Sequence, residues 1–247
     1  MARIIGTRHA DLLFGTDEAD LIRAGRGEDT VYGGLGEDLI YGGRGNDVIY
    51  GGEERSEIYG GLGSDEIHFA RGYAYGGRGN DNIQVSGGGH AIGGDGDDTI
   101  IGTGALWGDQ GPETPAELQT AGNDILSLIA DADGSWAHGG GGSDTFSALL
   151  DALNPSLAVI DDFRSGEDRI EVWAEEGHDE PTDAAGVFLT LDANHNGVLE
   201  YTDSLSGGGV YVDTPGNTMF LLYGAGALVV RGATQLTSSD WIFGPDA

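Results

Sequence analysis

The chain of 247 residues contains no cysteine and no lysine, and only two methionines and six prolines. Without cysteine there are no disulfides and no thiolate metal sites. Without lysine the 11 basic side chains are all arginine, and they stand against 42 acidic ones for a net charge of −31. So acidic a surface repels phosphates, which excludes nucleic acid as a partner and leaves cations as the natural ones. Long hydrophobic runs are missing too. Met219 to Tyr223 is among the longest, far short of the ~20 residues a bilayer-spanning helix needs, so no membrane insertion is expected. The opening MARIIGTRHADLLFG lacks the apolar stretch of a secretory leader and carries Arg3, Arg8 and Asp11, so no ordinary signal peptide is expected.

What is abundant is glycine, 47 residues, nearly three times the usual share of about 7%. Asp outnumbers Glu by 27 to 15. With thiolates absent and His scarce, hard carboxylate and carbonyl oxygens are the plentiful metal ligands, and they suit calcium.

Aspartate recurs every nine residues, at Asp11, Asp20, Asp29, Asp38 and Asp47, then Ser56 in register, then Asp65. Each unit is a glycine-rich turn, an Asp and a three-residue strand with an apolar centre: Leu13, Ile22, Val31, Ile40, Ile49, Ile58 and Ile67. So short a strand cannot bury its apolar side alone. Successive units must stack and share one core, as in any solenoid.

The units GGLGEDLIY, GGRGNDVIY, GGRGNDNIQ and GGDGDDTII resemble the hemolysin-type calcium-binding repeat of the RTX proteins, and IIGTRHADLLFGTDEADLI resembles the usual start of such an array. The resemblance implies an all-β, right-handed parallel β-roll with two units per turn, calcium ions held between loops one turn apart, and secretion to the extracellular space by a type I system. It covers residues 1–147, which are expected to form the roll.

With 18 residues per turn, alternate units share an edge. The first edge carries Asp11, Asp29, Asp47 and Asp65 and continues through Asp81, Asp98, Asp124 and Asp144. The second begins with Asp20 and Asp38, degrades to Ser56, and then loses the Asp altogether. Spacings of 16 and 17 between Asp65, Asp81 and Asp98 place deletions on that second edge, so the metal ladder is expected to be one-sided. Glycines such as Gly33, Gly34, Gly36, Gly42, Gly43 and Gly45 are candidates to turn their carbonyls toward the ions, because positive φ costs glycine nothing. One Asp loop cannot supply the 6 to 8 oxygens of a calcium shell, but two stacked loops can. The array has room for up to about nine ions.

Residues 148–247 are expected to form a cap of short strands ending in a segment like a secretion signal. SALLDALNP reads as a short helix, and Gln110 to Thr120 as an inserted surface loop. AVIDDFRSGEDRIEVW resembles the segment that follows the repeats in serralysin-type C-terminal domains, and its Val159, Ile160, Phe163, Ile170 and Val172 are expected to cover the open end of the roll. DANHNGVLEYTD matches an EF-hand loop, with Asp192, Asn194, Asn196, the Val198 carbonyl and Asp203 as candidate ligands of one further calcium ion.

Outward-facing side chains, many of them aromatic, form two columns, Phe14, Tyr32, Tyr50 and His68 on one edge and Arg23, Tyr41, Tyr59, Tyr75, Ile92, Trp107 and His138 on the other. They either pack across strands or offer a platform for sugar rings. No GxSxG, HExxH or phosphate loop is present, so no catalytic residue is assigned. The functional expectation is a secreted, calcium-binding structural or extracellular binding module, whose partner beyond calcium is a polysaccharide or a cell surface. The alternative is a calcium-dependent polysaccharide-active enzyme or an accessory domain of one.

Overall fold

The computed structural model describes residues 1–109, 121–130, 133–151, 156–175, 198–199, 208–213, 218–223, 226–233, 236–237 and 240. The chain is built from β-strands, with no helix among the described residues. In chain order they are β1 (Arg3–Ile5), β2 (Leu12–Phe14), β3 (Leu21–Arg26), β4 (Thr30–Tyr32), β5 (Leu39–Arg44), β6 (Val48–Leu62) and β7 (Glu66–Arg78). Then follow β8 (Asn82–Val85), β9 (His90–Asp95), β10 (Thr99–Gly102), β11 (Ala105–Trp107), β12 (Ile125–Ile129), β13 (Ser135–His138) and β14 (Thr145–Asp151). The last are β15 (Ser156–Ile160), β16 (Arg169–Glu175), β17 (Val198–Leu199), β18 (Gly208–Asp213), β19 (Thr218–Tyr223), β20 (Gly226–Arg231) and β21 (Leu236–Thr237).

Strands β1 to β16 and β20 pair in parallel with strands one coil away, which makes a β-solenoid. One face runs β2, β4, β6, β7, β8, β10, β12, β14, β16. The other runs β1, β3, β5, β6, β7, β9, β11, β13, β15, β20. β6 and β7 turn the corner and serve both faces. Where β20 ends the parallel stack, β19 and β18 continue the sheet antiparallel. The first unit spacing is 18, as in Ile22↔Ile40. Between β6 and β7 the register slips twice in the corner, from Tyr50↔His68 to Arg55↔Arg71, so the shortened spacing is absorbed before the second face.

The core lies between the two faces as stacked columns of the expected strand centres. Val31, Ile49, Ile67, Ile83, Ile100, Leu126, Phe146 and Ile170 are wholly buried on one side. Facing them are Ile22, Ile40 and Ile58, then the smaller Ala74 and Ala91. The lost volume is refilled by a second inward row from the first face, begun by Phe69 and Val85. The Phe69 ring lies where a Cβ on Gly89 would come within 2.6 Å of it, so the second edge becomes lean without leaving a void.

One expectation is corrected. Ser147–Asp151 is not helical but belongs to β14, paired in parallel with both β12 and β16. Phe146, Ala148 and Leu150 alternate inward, each buried, and that period of two outweighs the weak helical pattern of SALLDALNP. The loop expected at Gln110 to Thr120 lies outside the described residues.

Val159, Ile160, Phe163 and Ile170 are buried. They complete the end of the core by adding coils, since β15 pairs with β13 and β16 with β14. Val172 stands in register with Ala148.

Candidate metal centre

The corners of the roll are set by glycine. Gly43 has φ 116° and Gly45 φ 117°, values that cost a residue with a Cβ about 1 kcal/mol or more. Coils also approach too closely for a side chain: a Cβ on Gly43 would stand 2.3 Å from the Gly25 carbonyl oxygen.

At the end of each such turn an aspartate folds inward. The backbone N–H of Asp11 donates to Oδ1 of Asp29, 2.8 Å away and one coil on. The same bond joins Asp29 to Asp47, Asp47 to Asp65, Asp65 to Asp81, Asp81 to Asp98, Asp98 to Asp124 and Asp124 to Asp144, at 2.7 to 3.0 Å. Every aspartate expected on the first edge is therefore a rung of one ladder. The ladder has a further rung that the repeat reading missed: Asp144 donates to Oδ1 of Asp168 at 3.0 Å. The signal was present, because GEDRIEV keeps the Gly-x-Asp-x-Ile spacing inside a segment read as a cap.

On the second edge Ala2 and Asp20 make the same bond, as do Asp20 and Asp38. There the ladder stops. Asp38 donates to the Ser56 hydroxyl at 3.4 Å, and that hydroxyl donates to the Gly51 carbonyl at 3.0 Å. A neutral group replaces the carboxylate, as the degraded spacing implies. Further along this edge two other aspartates brace corners instead: Asp109 accepts from the amides of Gly122 and Gly141, and Asp162 from those of Gly139 and Gly140.

The second carboxylate oxygen distinguishes most rungs. Oδ2 of Asp29, Asp38, Asp47, Asp65, Asp81, Asp98, Asp124 and Asp144 is buried and has no hydrogen-bond partner. A buried, unpaired anionic oxygen costs several kcal/mol, and here it recurs coil after coil. Room is reserved beside it: a Cβ on Gly42, Gly60, Gly76 or Gly93 would stand 2.1 to 2.6 Å from the Oδ2 of Asp47, Asp65, Asp81 or Asp98. Seven of the eight open oxygens lie on the first edge, so the ladder is one-sided, as its spacing predicts.

The electrostatics follow. Burial is the main cause that pushes Asp38 and Asp65 up to about 6, Asp47, Asp98 and Asp144 to about 7, and Asp81 and Asp124 to about 8. Neighbouring carboxylates add to the shift at all of these except Asp65, where the one other influence is the Asp47 amide, which lowers it. Asp20 goes the other way, held below the usual range first by the Ala2 amide and then by the hydroxyl and amide of Thr16.

No three His, Cys, Asp or Glu side chains converge among the described residues. A cation at the open oxygens must therefore take carboxylates singly or in pairs and complete its shell with backbone carbonyls. Oxygen donors alone, a yielding glycine frame and anionic charge fit a hard divalent cation of calcium's coordination number. Of the other candidate ligands, Asp192, Asn194, Asn196 and Asp203 lie outside the described residues. Val198 is placed in β17, which pairs antiparallel with β21.

The aromatic columns form as well. Phe14, Tyr32, Tyr50 and His68 stack with centroids 4.9 to 5.2 Å apart, and Tyr41, Tyr59 and Tyr75 do the same at 4.9 to 5.0 Å. Trp107, expected in the second column, stacks instead on His90, which with Tyr73 makes a third column.

The family model for the RTX calcium-binding nonapeptide repeat (4 copies) matches residues 5–40 and 41–74. A search of curated proteins finds no match. Residues 5–74 therefore carry RTX calcium-binding repeats, and the parallel stacked coils are consistent with an RTX β-roll.

Proposed function

We propose that this RTX repeat protein is secreted, by a type I system, and that its roll closes when calcium fills the aspartate ladder outside the cell. The observation that carries the reading is the row of eight buried carboxylate oxygens without a donor. Left as they are, they make the coil stack repel itself; each divalent ion between coils turns that cost into attraction. Asp29, Asp38, Asp47, Asp65, Asp81, Asp98, Asp124 and Asp144 would hold the ions, with the corner carbonyls beside them. The ion itself supplies charge neutralisation and a link between coils.

Extracellular modules bind calcium at roughly 10⁻⁴ to 10⁻³ M, so such a chain stays open in a calcium-poor cytoplasm and folds where calcium is plentiful. In this reading the closed roll serves as a structural or binding module on an extracellular polysaccharide or cell surface. Calcium titration followed by circular dichroism and hydrodynamic radius tests it. The expected result is a cooperative gain of β-structure with contraction; a chain already compact and β-rich in EDTA would overturn it.

A further inference from the structure

Three rungs of the ladder differ from the rest. Oδ2 of Asp11 accepts from both the amide and the hydroxyl of Thr7, the latter at 2.9 Å. Oδ2 of Asp20 accepts from the amide and the hydroxyl of Thr16, both at 2.8 Å. Oδ2 of Asp168 accepts from the Arg164 amide at 2.7 Å. In each case the donor is the residue four places before the aspartate.

Before the other ladder aspartates that position is glycine, except before Asp124, where it is Thr120. From Gly25 before Asp29 to Gly140 before Asp144, these glycines have φ between 98° and 122° and stand before an open Oδ2. Thr120 lies outside the described residues, and Oδ2 of Asp124 is open although the residue is not glycine, so the identity of this residue alone does not close a rung. At positive φ the glycine amide does not reach the carboxylate, since those oxygens have no donor at all. At Thr7, Thr16 and Arg164 the amide meets the carboxylate, and the two threonines add a hydroxyl.

We infer that Asp11, Asp20 and Asp168 are metal-free rungs, because Thr7, Thr16 and Arg164 satisfy their Oδ2 from within the chain, whereas the rungs whose Oδ2 lacks a donor take the cations. The physical ground is competition for one oxygen. Two neutral donors at 2.8 Å occupy the directions from which a cation would approach Oδ2 of Asp20, and a cation must break both bonds to bind there. The metal-free rungs lie at the two ends of the ladder, Asp11 and Asp20 at one and Asp168 at the other. There the coil stack is held by hydrogen bonds that need no ion, and the first coils can form a template before calcium arrives.

This inference rests on the calcium reading, and the test separates the two. Ions per chain are counted by equilibrium dialysis against calcium alone and elemental analysis, on full-length protein. The Asp11→Asn, Asp20→Asn double variant is expected to keep the wild-type count. The Thr7→Gly, Thr16→Gly double variant is expected to gain one or two ions, and adding Asp11→Asn and Asp20→Asn to it should abolish the gain. A loss of ions in the first variant, no gain in the second, or a gain that survives in the combined variant would each overturn the inference while leaving calcium binding intact. A wild-type chain that binds no calcium would overturn both.

Discussion

Asp47 donates its amide to Oδ1 of Asp65 at 2.8 Å, while Oδ2 of the same Asp65 carboxylate is buried and unbonded. The two oxygens have separate tasks. One ties neighbouring coils through the backbone and is satisfied in the protein alone; the other is left for a cation. Because the tie runs from rung to rung, loss of one ion loosens the coils on both sides.

A carboxylate on the ladder should therefore matter more than one on the surface beside it. Asp47 is 1% exposed, whereas Glu57 is exposed and bonds the Tyr59 hydroxyl. Asp47→Ala is expected to remove at least one ion, which at a calcium concentration 100 times the dissociation constant is about 2.7 kcal/mol. Glu57→Ala is expected to cost under about 1 kcal/mol. Calcium-dependent melting of both variants checks this, and equal losses would refute the edge assignment.

In the metal-free chain Asp38, Asp47, Asp65, Asp81, Asp98, Asp124 and Asp144 titrate between about 6 and about 8 when folded, against about 4 when unfolded. An acid whose folded value is raised binds protons preferentially in the folded state, so acidification stabilises that state. The stabilisation appears as the pH falls through 8 to 6 and is complete near 4. In EDTA the chain, open near pH 8, is expected to gain β-structure on acidification to pH 4.5, as read by circular dichroism, the reverse of ordinary acid denaturation. With saturating calcium acidification should instead lower stability, because protons then compete with the ion. A metal-free chain that gains no β-structure on acidification would contradict the burial of these groups.

The parts legible in the sequence were those fixed by the nine-residue period: Ile40, Ile49 and Ile58 as core, Asp29 to Asp144 as ladder, and the decay of the second edge at Ser56. They were legible because stacking forces every unit to repeat the same chemistry at the same place. Asp168 escaped because its unit is flanked by non-repeat sequence, though its own spacing is intact. Ser147–Asp151 looked helical because adjacent Leu149 and Leu150 before Asn154 and Pro155 mimic a helix and its stop; pairing with β12 and β16 decides the matter, and only the third dimension shows it. Phe69 gave no sign that it would refill the space above Ala74. The bonds of Thr7 and Thr16 to Asp11 and Asp20 were equally hidden, since a glycine-to-threonine change in a turn reads as mere drift.

Glycine substitutions should separate conformational strain from collision. Gly43 and Gly88 both have positive φ, 116° and 76°. Around a Cβ on Gly88 there is nothing within 4 Å, whereas on Gly43 it would stand 2.3 Å from the Gly25 carbonyl oxygen. Gly88→Ala is expected to cost about 1 kcal/mol, from backbone strain alone. Gly43→Ala must also push two coils apart and is expected to cost about 3 kcal/mol or more, with weaker calcium binding at the neighbouring rungs. Chemical denaturation in calcium measures both, and similar costs would show that coil spacing is looser than described.

The stacked tyrosines give the last test. Tyr59 lies between Tyr41 and Tyr75, with centroids 5.0 and 4.9 Å away and rings within 8° of parallel. Both of its faces are covered by its neighbours, so within the column no face is free for a sugar ring; contact with a polysaccharide would have to run along ring edges and hydroxyls. The column is thus first a stabilising device. At about 0.5–1.5 kcal/mol for each aromatic pair, Tyr59→Ala forfeits about 1–3 kcal/mol of stacking before any loss of buried area. Tyr59→Phe keeps both ring contacts and gives up only the hydroxyl bond to Glu57, so it is expected to fall within about 1 kcal/mol of wild type. If the two variants melted together well below wild type, the hydroxyl row rather than ring stacking would be what holds this face.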